Sequence, residues 1–158
     1  LHIAHISTKG ALTLVKEAKK EGKIKVTSGV TPHHALFNME KENTYLKMNP
    51  PLRAEEDRAF VFSSLLSGDI DWVESDHAPH TKEDKEKGKC GIPGFKGTLL
   101  LLDALRENGM SEENLERIFN TNAAHAFGID ISPLPLPTNT KEREEIAGNR
   151  YPFDPYAL

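Results

Sequence analysis

The sequence predicts an α/β fold with parallel strands, on three observations. Apolar, β-branched runs alternate with stretches of helical periodicity, those runs are apolar on both faces, and a polar cluster stands where each run ends. Alternation of this kind argues for parallel strands joined by right-handed crossovers. In barrels and open sheets alike, ligands bind at the carboxyl edge of such strands. The pattern is densest in Ile70-Asp71-Trp72-Val73-Glu74-Ser75-Asp76-His77-Ala78-Pro79-His80, where an apolar run delivers a carboxylate followed closely by two histidines. A polar turn capping a strand is the plain alternative for that stretch taken alone.

Leu1 to Ile6 reads as a buried strand. Ser7-Thr8 offers an N-cap, and Ala11, Leu12, Leu14, Val15 and Ala18 form an apolar stripe at helical spacing. Lys16, Lys19 and Lys20 suit the carboxyl end of that helix, and Gly22 stops it. Ile24 to Val30 is the next strand, running into Thr31-Pro32-His33-His34, and a short helix is expected over Ala35 to Lys41. Tyr45 to Met48 reads as a brief strand stopped by Asn49-Pro50-Pro51. Acids in Arg53-Ala54-Glu55-Glu56-Asp57 start a helix whose apolar side is Phe60, Val61, Leu65 and Leu66. After Gly68-Asp69 comes the strand Ile70 to Ser75. Thr81 to Gly97 is long and polar, either a solvated linker or an active-site lid. Helices follow over Thr98 to Arg106, Ser111 to Phe119 and Asn122 to Phe127. Pro133, Pro135, Pro137, Pro152 and Pro155 make residues 129–158 an extended or disordered, Pro-rich tail. Residues 1–128 are the folded domain.

The chain's 158 residues can bury a core. A net charge of -4 with mixed signs argues against nucleic acid and against a cationic membrane face. The longest apolar run, Leu99 to Leu102, is too short to span a bilayer. One cysteine, Cys90, excludes an internal disulfide and suits a reducing cytoplasm. The chain opens at Leu1 inside a strand pattern without an initiating Met, as a fragment starting in mid-fold would.

The strand-end rule gathers His5, His34, Asn49, Asp76 and His80 on one rim. His2 and His5 are an odd number of residues apart and face opposite sides of a strand, which leaves His5, nearer the carboxyl end, better placed. Between His33 and His34 spacing does not choose. Two histidines and Asp76 are a three-ligand set of the catalytic metal type. Arg53 could bind an anion or pair with the neighbouring acids.

Four segments carry a resemblance: His5-Ile6-Ser7-Thr8-Lys9, Val30-Thr31-Pro32-His33-His34, Lys47-Met48-Asn49-Pro50-Pro51-Leu52-Arg53 and Ser75-Asp76-His77-Ala78-Pro79-His80. In order and spacing they resemble the successive signatures of the dihydroorotase family of amidohydrolases. The resemblance covers roughly residues 1–128 and implies the carboxyl-terminal half of a (β/α)8 barrel, incomplete here because such a barrel takes about 250 residues. It implies the reversible cyclisation of N-carbamoyl-L-aspartate to dihydroorotate with two Zn2+ ions. By position, His5 and His34 resemble the histidines of one zinc and Asp76 the aspartate that binds the other and moves the proton. Asn49 and His80 resemble substrate contacts, and Gly91-Ile92-Pro93-Gly94, through Pro93 and Gly94, the backbone lining the substrate ring.

The family's His-x-His pair and bridging carboxylate have no counterpart in the sequence, so the chain alone is expected to be inactive. A related cyclic amidohydrolase (dihydropyrimidinase, hydantoinase or allantoinase) is the enzymatic alternative. A non-catalytic scaffold for aspartate carbamoyltransferase is the alternative of another class, although His5, His34 and Asp76 all stand. Expected partners are the small-molecule substrate, a second copy of the chain or aspartate carbamoyltransferase.

Overall fold

A computed structural model describes residues 1–41, 43–131, 135–138, 140–148 and 150–157. Three short strands, β1 (His2–Ile3), β2 (Thr27–Val30) and β3 (Trp72–Val73), form a parallel sheet in the order β1-β2-β3. The register pairs His2 with Thr27 and Ile3 with Ser28, then Gly29 with Trp72 and Val30 with Val73. The crossovers are α1 (Lys9–Glu21), then α2 (Pro32–Leu36) with α3 (Glu55–Leu66). After β3 come α4 (Lys82–Glu86), α5 (Phe95–Glu107), α6 (Glu112–Glu116), a π-helical turn over Arg117–Thr121, α7 (Asn122–Phe127) and α8 (Thr140–Gly148).

Local chemistry explains the boundaries. Thr8 caps α1 by accepting the Ala11 amide at 3.1 Å, and Gly22 ends it at φ 66, a left-handed conformation that costs glycine little. Thr31 caps α2 and Pro32 opens it, the residue best suited to a first helical turn. One core joins the sheet to its helices: Leu12, Val30, Ala35, Val61, Leu65, Leu101, Leu105 and Leu115 are fully buried. Each large one contributes about 1.5–3 kcal/mol through burial. A smaller cluster of Leu46, Met48, Leu52, Ile92 and Tyr156 lies beside it.

Three expectations need correction. The segment Tyr45 to Met48 is no strand: Asn43 accepts the Tyr45 and Leu46 amides and winds Thr44–Leu46 into a 3-10 turn. The polar stretch 81–97 is not all loop, because Thr81 caps α4 and α5 begins at Phe95. The tail is not irregular throughout. Residues 140–148, which lack proline, form α8 packed on α5, while Pro135, Pro137, Pro152 and Pro155 stand outside regular structure. Pro133 lies outside the described residues. Among the described residues no helix is long and apolar enough to cross a membrane.

Candidate metal and substrate site

Three strand exits build the site. His5 follows β1, His33 and His34 stand in α2 directly after β2, and Asp76 follows β3. Because the strands are parallel and adjacent, these residues share one edge of the sheet. His5 and Asp76 both have positive φ, 41° and 42°. Such values are uncommon outside glycine, and clustered backbone strain of this kind marks functional sites.

The two adjacent histidines have different surroundings, since successive helical residues point about 100° apart. His34 is satisfied in its neutral form. Its Nδ1 accepts from the Thr31 hydroxyl at 2.7 Å and its Nε2–H donates to the Pro50 carbonyl at 2.9 Å. Burial, opposed by the Pro50 bond and aided by the charges of His5 and Arg53, lowers its pKa to about 4. His33 is also fully buried, yet neither ring nitrogen has a hydrogen-bond partner among the described residues. Its Nε2 lies 3.7 Å from Asp76 Oδ2. Burial, then the charges of His34 and His5, hold its pKa well below the ordinary value.

His33 is therefore the ring that faces Asp76, while the histidine the resemblance implied as a metal ligand is His34. Thr31-Pro32, a cap followed by a first-turn proline, was the sequence signal that α2 starts early enough to split the pair between two faces. Among the described residues no three His, Cys, Asp or Glu side chains are already drawn together around a metal position. The donors nonetheless suit a divalent metal ion. A buried imidazole with both nitrogens unpartnered is costly, and the facing carboxylate supplies the oxygen ligand such a site takes. Burial raises the Asp76 carboxyl above its usual range, with the charge of Glu74 acting in the same sense and that of His5 against it.

Around Asp76 the loop chemistry is dense. A Cβ on Gly94 would overlap the Ser75 carbonyl, so glycine is what permits this approach. The Gly94 amide donates to His77 Nδ1 at 3.1 Å, which places the proton of His77 on Nε2, 2.8 Å from the Tyr151 hydroxyl. Phe95 stacks on His77 with ring centroids 3.8 Å apart. Pro93 and Gly94 are buried, and the Gly94 amide is already engaged. His80 Nε2–H donates to the Cys90 carbonyl at 2.9 Å, so it braces the same segment. Asn49 is exposed, beside the Pro50 carbonyl that holds His34. Arg53 reaches Ser7 at 3.4 Å rather than the acids after it, which leaves a cation near His34.

Two contributors were not legible from spacing. Lys85 is fully buried and donates to the carbonyls of Lys47, Lys89 and Gly91 at 2.6, 3.0 and 2.9 Å, stapling the 81–91 segment under Gly91. Tyr156, from the tail, is buried, and its hydroxyl has no hydrogen-bond partner among the described residues. Its pKa is raised by burial and then by the charges of Asp154 and Asp76.

A pH dependence follows from His34. Its folded pKa of about 4 lies below the ordinary 6.5, so the unfolded chain binds the extra proton between those values. Stability is full above the upper value and is lost as pH falls toward the lower. Urea unfolding of the metal-free chain is expected to show about 2 kcal/mol less stability near pH 5 than near pH 7. His33, shifted in the same direction, adds to the loss. A flat profile would contradict the burial of both rings.

No family model matches the chain. The dihydroorotase of Bacillus cereus (strain B4264) is 38% identical over 142 residues, covering 84% of this chain and 33% of that protein. The dihydroorotase of Bacillus thuringiensis (strain Al Hakam) matches with the same identity and coverage. The chain thus spans about a third of the length of the curated relatives it matches. Among solved structures, the D-hydantoinase (dihydropyrimidinase) of a Thermus species superposes with TM-score 0.72 at 26% identity, over 80% of this chain and 31% of that one. A dihydroorotase from Saccharomyces cerevisiae gives TM-score 0.72 at 17% identity, over 85% of this chain and 40% of its own, a likeness of fold alone. The similarity to dihydroorotases read from four signatures therefore extends over most of the chain.

Proposed function

We propose that this chain forms the carboxyl-side part of a dihydroorotase, closing N-carbamoyl-L-aspartate to dihydroorotate with loss of water and reopening it. The observation that carries the reading is the buried, unpartnered His33 facing Asp76 on adjacent strand exits, within a sequence 38% identical to dihydroorotases. His5, Asp76 and one histidine of the pair would hold divalent zinc: the resemblance implies His34, and the unpartnered ring facing Asp76 favours His33. The structural neighbours belong to the TIM-barrel amidohydrolases, and this chain would supply part of such a barrel.

Zinc bound there would polarise the amide carbonyl and acidify water. In the hydrolytic direction Asp76 takes the proton of the attacking water and returns it to the ring nitrogen, which must be protonated to leave. A carboxyl made more basic by burial is better suited to accept that proton. Synthesis runs the same transfers in reverse. The exposed Asn49 carboxamide and the Arg53 guanidinium stand where a substrate carboxylate can be gripped, and Pro93-Gly94 lines the ring. The substrate is a soluble metabolite, with no role assigned to nucleic acid or membrane.

The test replaces the matching segment of the Bacillus cereus dihydroorotase by this chain's aligned residues. The hybrid, loaded with zinc, is expected to interconvert carbamoyl aspartate and dihydroorotate, whereas the chain alone turns over neither. The 26% identity to the Thermus hydantoinase favours one competing reading, a hydantoinase or dihydropyrimidinase. A hybrid that prefers dihydrouracil to dihydroorotate decides for it.

A further inference from the structure

Glu74 stands just past β3, and its side chain runs back across β2 to β1. Its Oε2 accepts the His5 backbone N–H at 2.9 Å. Its Oε1 meets His2 Nε2 and accepts from the Trp72 indole N–H at 3.3 Å. The His2 ring is fixed from both sides: it stacks on Trp72 with centroids 4.4 Å apart and 16° between planes, and its Nδ1 lies 3.1 Å from the Thr27 hydroxyl. Passage across β2 is possible because residue 29 is glycine, since a Cβ there would overlap the Glu74 carboxylate. One carboxylate thus ties β3 to β1 across β2 at the edge where the site lies.

We infer that Glu74 is a positioning residue for the metal-facing end of the site, its carboxylate laid over Gly29 to hold His5 in a left-handed backbone conformation that aims the imidazole at the shared edge. A histidine at φ 41° carries a steric cost that a specific tether can offset, and a hydrogen bond to a carboxylate is the strong kind. Residues that orient a ligand from behind govern metal affinity without touching the ion. The role in metal binding rests on the reading of His5 as a ligand, while the hold on His5 does not.

The experiment compares Glu74→Ala, Glu74→Gln, Gly29→Ala and the Gly29→Ala/Glu74→Ala pair in the full chain. Amide hydrogen exchange is read without metal, and zinc affinity by competition with a chromogenic chelator. Glu74→Ala is expected to speed exchange of the His5 amide by at least about tenfold, with the β2 amides little changed. It should weaken zinc by about 10- to 100-fold. Glu74→Gln, which keeps a carbonyl acceptor for the His5 amide, should restore most of the protection. Gly29→Ala should mimic Glu74→Ala, and the pair should be no worse than Glu74→Ala alone, because the Glu74 atoms that the added methyl overlaps are then gone. A Glu74→Ala chain with unchanged His5 exchange overturns the inference. Loss of protection spread equally over β2 also overturns it, as the mark of a merely structural residue. If the unaltered chain binds no zinc while the exchange pattern holds, the hold on His5 is upheld and the metal reading falls.

Discussion

Asp76→Asn in the zinc-loaded hybrid enzyme is expected to lower turnover by about 10²- to 10⁴-fold, the range a positioned general acid/base contributes. Asparagine is the informative replacement because it visits the left-handed region more readily than most residues. The backbone at φ 42° is then kept while the proton-carrying oxygen is lost. Asp76→Ala would mix chemical loss with strain. The thermal midpoint of the metal-free hybrid should barely move, since Asp76 is partly exposed and its approach to His33 is 3.7 Å rather than a short hydrogen bond. Steady-state assay in both directions checks the result. Near-normal turnover would remove Asp76 from proton transfer.

The adjacent histidines should separate just as sharply. His33→Ala is expected to cut zinc affinity by more than about 100-fold, beyond what loss of an outer-shell partner costs. It also removes two buried, unpartnered nitrogens, so its effect on the metal-free fold is small for so buried a residue. His34→Ala should do the opposite. It deprives the Pro50 carbonyl and the Thr31 hydroxyl of their partner and opens a cavity, costing about 2–4 kcal/mol, while zinc still binds. Metal titration beside urea unfolding reads both quantities. The reverse pattern would return the ligand to His34.

That pair shows how far local pattern reaches. Val30-Thr31-Pro32-His33-His34 marked a strand exit rich in imidazole, and the exit is where the chain places it. Which ring faces Asp76 depends on the rotation of a helix that starts at Pro32, and on Pro50, many residues away in sequence, accepting the other ring's proton. The tail shows the same limit. Proline content argued against regular structure, yet α8 packs on α5 and Tyr151 reaches His77, through contacts that composition does not encode. Glu74 shows it again, because a glutamate between Val73 and Ser75 reads as an ordinary polar residue until Gly29 is seen to make room for it.

By itself the sequence determined the parallel α/β order, the capped start of α1, and the placing of His5, Asp76 and the histidine pair at strand ends. Those features follow from periodicity and from turn chemistry, which act over a few residues. Only the tertiary structure decided that His33 rather than His34 lacks a partner, that Lys85 is sealed under Gly91, and that Glu74 spans three strands to hold His5. Those outcomes depend on which distant groups meet after packing, and on the cost of burying a polar atom that meets none.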